Sequence, residues 1–133
     1  MHKFRLIHTV ILTTAFLILT TSCHAEQIFA VVRHTANDIT IINLDKFTWT
    51  DVEVTINGGG GIFSPSYSYK IAKFPGQDIQ GRTIPLTEFV QPNGTRFDPS
   101  KTALVRVSIT CKVPKSWSNW FGKGEWEGIP EAH

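Results

Sequence analysis

The sequence predicts an all-β fold, an antiparallel sandwich of two sheets with about seven strands, and three observations carry that expectation. Nearly every apolar run beyond residue 25 alternates with period two and is rich in valine, isoleucine, threonine and aromatic residues, the pattern of half-buried strands. Turn-forming residues punctuate these runs at a spacing of about eight to twelve residues. No later segment holds the apolar spacing of three to four that marks an amphipathic helix.

The chain begins with a different kind of segment. Lys3 and Arg5 give a basic start, Leu6 to Leu19 is an apolar run, and Cys23-His24-Ala25 ends it with small residues at the cleavage-rule positions. Residues 1–25 therefore read as a helical export signal, cut after Ala25, and residues 26–133 as one domain of common size that folds outside the cytoplasm, periplasmic or secreted. The apolar run is shorter than the roughly twenty residues a membrane span needs, so no transmembrane segment is expected in the mature chain. A second reading acylates Cys23 and tethers the protein by lipid; Ser22 suits it, whereas Thr20 stands where an aliphatic residue is normally required.

The strands follow in order. Ile28 to His34 and Ile39 to Leu44 flank the polar cluster Thr35-Ala36-Asn37-Asp38 and form a first hairpin. Phe47 and Trp49 share one parity and Val52, Val54 and Ile56 the other, so Thr50-Asp51 marks a bulge or a short turn, with Trp49 expected in the core. Asn57 opens a loop of four glycines, Gly58 to Gly61. Ser66 to Phe74 returns with Tyr67, Tyr69 and Ile71 on one face and Ser68, Lys70 and Ala72 on the other. Pro75-Gly76-Gln77-Asp78 is a turn, Thr83 to Leu86 a short strand whose Pro85 argues for a sheet edge, and Pro92-Asn93-Gly94 another turn. Lys101 to Cys111 is the clearest strand, with Ala103, Val105, Val107, Ile109 and Cys111 in alternation. The sum is a sandwich of the immunoglobulin-like kind in architecture only, since the Cys and Trp pair of antibody domains is absent, over residues 26–113, with a small β-barrel as the alternative, followed at 114–133 by a tail that holds three of the four tryptophans.

Charge and motifs exclude several function classes. The formal charge is +2, from 13 basic and 11 acidic residues, and loss of Lys3 and Arg5 with the signal brings it to zero. Such a surface does not steer the protein to nucleic acid. Asp45-Lys46, Arg96-Phe97-Asp98 and Lys123-Gly124-Glu125 alternate in sign and read as solvated charges. The glycine run lacks the lysine and helix start of a phosphate loop. With His34 and His133 the only histidines left after processing, and Cys111 reading as a small core hydrophobe, no metal site or cofactor is expected. Glu125 and Glu127 lie too close in sequence for a facing glycosidase pair, and no nucleophile elbow accompanies His34, so the chain reads as non-catalytic.

The stretches Asn43 to Val52, Ile56-Asn57-Gly58, Tyr67-Ser68-Tyr69-Lys70, Ile84-Pro85-Leu86 with Phe89, Gly94 to Pro99, and Val107 to Cys111 together resemble a family of short, largely uncharacterised bacterial cell-envelope domains with a sandwich-like fold. The resemblance spans most of Asn43 to Cys111 and implies no catalytic residues. The aromatic tail departs from it.

That tail supplies the candidate binding residues: Trp117, Trp120, Phe121 and Trp126. Exposed tryptophans give large contact area at little entropic cost, on a sugar ring or a protein surface. The alternative is that they close the sandwich as core. The sequence thus leads to a monomeric binding or structural module of the envelope, taking a protein partner or, as a second reading, a glycan on the tail tryptophans.

Overall fold

The computed structural model describes residues 26–58, 66–115 and 118–127, with only the backbone described at 115, 118–121 and 127. Residues 1–25, including Cys23, and Trp117 lie outside the described residues. Eight strands are present among the described residues: β1 (Glu26–Gln27), β2 (Ala30–His34), β3 (Asp38–Asn43), β4 (Trp49–Ile56), β5 (Tyr67–Phe74), β6 (Arg82–Pro85), β7 (Arg106–Lys115) and β8 (Ser118–Glu127). They form a five-stranded sheet ordered β1-β8-β7-β4-β5 and a three-stranded sheet ordered β2-β3-β6. No helix among the described residues is long and apolar enough to cross a membrane.

The core lies between the sheets. Trp49, Val52, Val54 and Ile56 on β4 and Val107, Ile109, Cys111 and Val113 on β7 meet Ile39 and Ile41 on β3 and Ile84 on β6, all almost fully buried. Phe89 and Phe97, both buried, fill the end where β6 leads back to β7. Trp49 packs on Phe74 at a ring separation of 5.3 Å. Its expected place in the core is what the structure shows.

Three details differ from the sequence expectation or sharpen it. The run from Ile28 to His34 is divided between the sheets: Glu26 and Gln27 pair with Gly122 and Lys123, then the chain crosses, with Ile28 N–H donating to the Lys123 carbonyl and Leu44 N–H to that of Phe29. The β1–β8 pairing is parallel, against the antiparallel expectation, because no hairpin ties β1 to β8 and fixes its direction. The strand expected from Lys101 instead starts at Arg106 and runs to Lys115. Lys101 and Thr102 donate to the Asp98 carbonyl and hold a turn, while the Asn57 side-chain oxygen accepts Val105 N–H, so Val105 is left 64% exposed despite its alternation.

The parity change at Thr50-Asp51 is a β-bulge. Register against β7 shifts between Thr50 and Glu53, and Asp51 takes a positive φ of 47°. Register against β5 is the same on both sides of the bulge, with no pair between Asp51 and Ala72, and on β5 Ile71 and Phe74, three apart, are both buried. Pro85 lies on β6, an edge strand as expected.

Candidate functional site

Residues 114–133, read from sequence as a tail, contribute β8, which pairs with β7 along its whole length from Arg106↔Glu127 to Lys115↔Ser118. Trp120 stands opposite Val113 and Phe121 opposite Lys112 in that register. Trp126 is the one tail tryptophan whose side chain is described, and it is partly buried against the core. Gly122 and Gly124 make that packing possible. A Cβ at Gly124 would collide with the Trp126 ring, and one at Gly122 would lie 2.7 Å from Ile28. The ring thus covers a glycine two residues away on its own strand, which fills the gap a missing side chain leaves.

A buried polar cluster lies at the end of the sandwich where β3 leads into β4. Asp45 accepts Trp49 Nε1–H at 2.9 Å and Phe29 N–H at 3.3 Å. Asn43 donates from Nδ2 to the carbonyls of Phe47 and Phe74 and accepts Asp45 N–H on Oδ1. Asp45 is only 8% exposed, so its sequence reading as a solvated charge is corrected. The carboxylate is buried because it completes the hydrogen bonding of a core tryptophan. An acidic residue four positions before a tryptophan was the available signal. Cys111 lies nearby, as the small core hydrophobe expected, and burial together with the Asp45 charge pushes its thiol up to about 12. These groups satisfy one another, so the cluster supports the fold and offers nothing to a ligand.

The outer face and edge of β5 are different. The hairpin from Phe89 to Phe97 is pinned to β5 by its own rings: Tyr67 meets Phe97 edge-on at 5.2 Å, and Tyr69 meets Phe89 at 5.7 Å. That contact brings Val90 alongside Ser68, where each backbone donates to and accepts from the other. Ser68 therefore turns its N–H and carbonyl away from β4 and toward the sheet edge. By period two Lys70 and Ala72 do the same, with Ala72 at the one step where the β4–β5 ladder has no pair, opposite the bulged Asp51. The bridge is single: on the Lys70 side of Val90 the chain comes from the 3-10 turn Leu86–Glu88, whose Glu88 borders the same depression as Lys70, and no strand pairs with Lys70 or Ala72 on that edge among the described residues.

Two shallow depressions of about 560 Å³ each border this edge and meet at Glu53 and Lys70. One runs toward Asp51 and Ala72, the other toward Glu88 and Pro92. Ser68 Oγ donates to Glu53 Oε1 at 3.2 Å and lies 3.3 Å from Thr55 Oγ1, while Asp51 is held by Lys112 at 3.0 Å. Among the described residues, no group of three or more His, Cys, Asp or Glu side chains is placed to hold a metal ion. The chemistry on offer is recognition by backbone groups and flanking charges. Sequence reasoning did not single out this edge, although it placed Ser68, Lys70 and Ala72 together on one face of their strand.

No family model matches the chain, and neither any curated protein nor any solved structure matches it.

Proposed function

We propose that the chain is an exported, non-catalytic interaction module of the bacterial cell envelope that binds a protein partner through the open edge of β5. The observation that carries this reading is the unfinished ladder at that edge, where Ser68 is bridged by Val90 and Lys70 and Ala72 point outward. Unpaired backbone groups on an edge are a ready template for another chain. The sandwich is of the immunoglobulin-like kind on this reading. What supports it is a sheet β2-β3-β6 that matches the A-B-E order and neighbours β8-β7-β4-β5 that match the G-F-C-C′ order, with a buried tryptophan, Trp49, on the C-like strand. Export rests on residues 1–25, and the envelope assignment on the resemblance of Asn43 to Cys111 to envelope domains.

The glycan reading ranks second because the one described tail ring, Trp126, packs on Gly124 and the core. Photo-crosslinking in the native host separates a partner-binding edge from an inert one. A crosslinker at position 72 should give a discrete heteromeric product, and one at the exposed Lys123 of β8 should not. No product from position 72, or the same product from both positions, would sink the proposal. Intact mass of the mature protein tests export directly: an N-terminus at Glu26 is expected, and a diacylglycerol-modified Cys23 would replace the soluble form with a lipid-anchored one.

A further inference from the structure

We infer that β2 is an interface between two copies of this chain: its open edge pairs antiparallel with the same edge of a second copy, centred on Val31, and joins the two three-stranded sheets edge to edge. The inference replaces the monomer expected from sequence. It concerns a different edge from the protein-binding reading and is independent of it.

The open groups follow from the ladder to β3. Leu44 N–H donates to the Phe29 carbonyl at one end of that pairing, and Thr35 N–H to the Asp38 carbonyl at the other. Register is unbroken in between, so Val31 and Arg33 bond to Ile42 and Thr40, while Ala30 and Val32 turn N–H and carbonyl away from β3. β2 ends its sheet, and no strand pairs with it on that side among the described residues.

The occupant follows from a comparison of the edges. β6 carries Pro85, which has no N–H to offer; β5 is bridged at Ser68 by Val90 and carries Lys70 and Lys73; β1 is two residues long. Proline, charge and brevity are the devices that keep an edge from pairing with its own copy. β2 has neither proline nor lysine, is wholly apolar from Ala30 to Val32, and has Arg33 as its one formal charge. Its outer face stays apolar toward β3: Val31 lies opposite Ile42, and Phe29 and Leu44, joined by their backbone hydrogen bond, are 59% and 51% exposed. Residues 26–133 carry no net formal charge, so two copies do not repel at a distance.

Side chains set the register. With Val31 at the centre, Ala30 of each copy exchanges both backbone hydrogen bonds with Val32 of the other. Val31 then meets Val31 of the second copy, and with Ile42 on either side they form one apolar row across the joined sheet. Arg33 is exposed and makes no ion pair among the described residues, with Asp38 on β3 or any other carboxylate. It falls opposite the second copy's Phe29, a cation beside an exposed aromatic ring, and the two arginines sit at opposite ends of the pairing. A centre at Val32 would instead bring the arginines onto neighbouring diagonal positions, where like charges oppose pairing.

Sedimentation velocity of the mature protein, from micromolar to millimolar concentration, tests this, and a reversible dimer is expected. Val31→Lys sets two lysines face to face at the centre and should raise the dissociation constant about tenfold. Val31→Cys should close a disulfide between copies under mild oxidation, because directly opposed residues of a non-hydrogen-bonded pair lie within disulfide reach, and Cys111 is buried. Lys101→Cys, exposed elsewhere, should oxidise far more slowly. Hydrogen exchange reads the unaltered protein: the amides of Ala30 and Val32, and not that of Val31, should gain protection as concentration rises. A monomer throughout, a dimer that Val31→Lys leaves unchanged, equal oxidation at positions 31 and 101, or no added protection at Ala30 and Val32 overturns the inference. None of these results touches the crosslink from position 72, so the protein-binding reading is tested separately.

Discussion

The Asn43–Asp45–Trp49 cluster and the edge of β5 are both polar, and they lie in the same molecule with opposite logic. In the cluster, each donor has an acceptor within the chain: Trp49 Nε1–H and Phe29 N–H reach Asp45, and Asn43 spans the carbonyls of Phe47 and Phe74. No described buried side-chain nitrogen or oxygen lacks a partner. At the edge, the ladder stops after one bridge and the backbone of Lys70 and Ala72 faces outward. Burial explains the contrast. A polar group deep in the sandwich costs about 1 to 3 kcal/mol if left unpaired, so the fold must satisfy it internally, while water satisfies an edge until a partner displaces it. The first kind of polarity serves stability, and the second is the kind on which the proposed recognition rests.

The comparison is best broken at its centre. Trp49→Ala removes a wholly buried ring that packs on Phe74 and should cost about 3 to 5 kcal/mol, read as a fall in the urea midpoint with an unchanged slope. A midpoint within error of the parent would take Trp49 out of the core. Asp45→Ala strands the indole N–H and should cost about 3 kcal/mol, whereas Asp45→Asn keeps an acceptor and should cost roughly 1 kcal/mol. Equal losses for the two would show that the charge, and not the hydrogen bond, matters.

A smaller effect is expected at Gly124, where an added methyl meets the Trp126 ring. Gly124→Ala should cost about 1 to 3 kcal/mol and shift tryptophan emission to the red as the ring swings outward. Unchanged emission would mean that the ring finds room.

The pH dependence of stability reports on Cys111. Its thiol rises in the folded state from 9.0 to about 12, so the protonated form is favoured by folding. The unfolded chain binds fewer protons above pH 9, and this contribution, complete below that value, is lost as pH rises from 9 to 12. The stability difference between the parent and Cys111→Ala should therefore shrink across that window, and a constant difference would contradict it. Least of all should the edge matter for folding: Ala72→Pro is expected to move stability by under about 0.5 kcal/mol while abolishing a crosslink made from the neighbouring position 70.

Legibility followed how local each signal was. Period-two alternation marked β3, β4 and β5, Pro85 marked an edge, and the parity slip between Trp49 and Val52 marked the bulge that Asp51 adopts. Lys101 to Val105 misled, because alternation says nothing about whether a neighbouring strand is present to pair, and β4 ends where Asn57 N–H reaches the Arg106 carbonyl. Asp45 misled for a related reason. Its character as a buried acceptor depends on Trp49 and Phe29, the latter brought to it across 16 residues.

By itself the sequence determined the all-β class, the turns and the residues that face inward, since these depend on side-chain period and backbone preference within a few residues. Only the tertiary structure decided which strands became neighbours and hence which edge stayed open. Tyr67 and Tyr69 on one segment and Phe89 and Phe97 on another carry no sign of each other until their rings pack. That packing sets Val90 beside Ser68 in a single bridge and leaves the β5 edge without a further strand among the described residues.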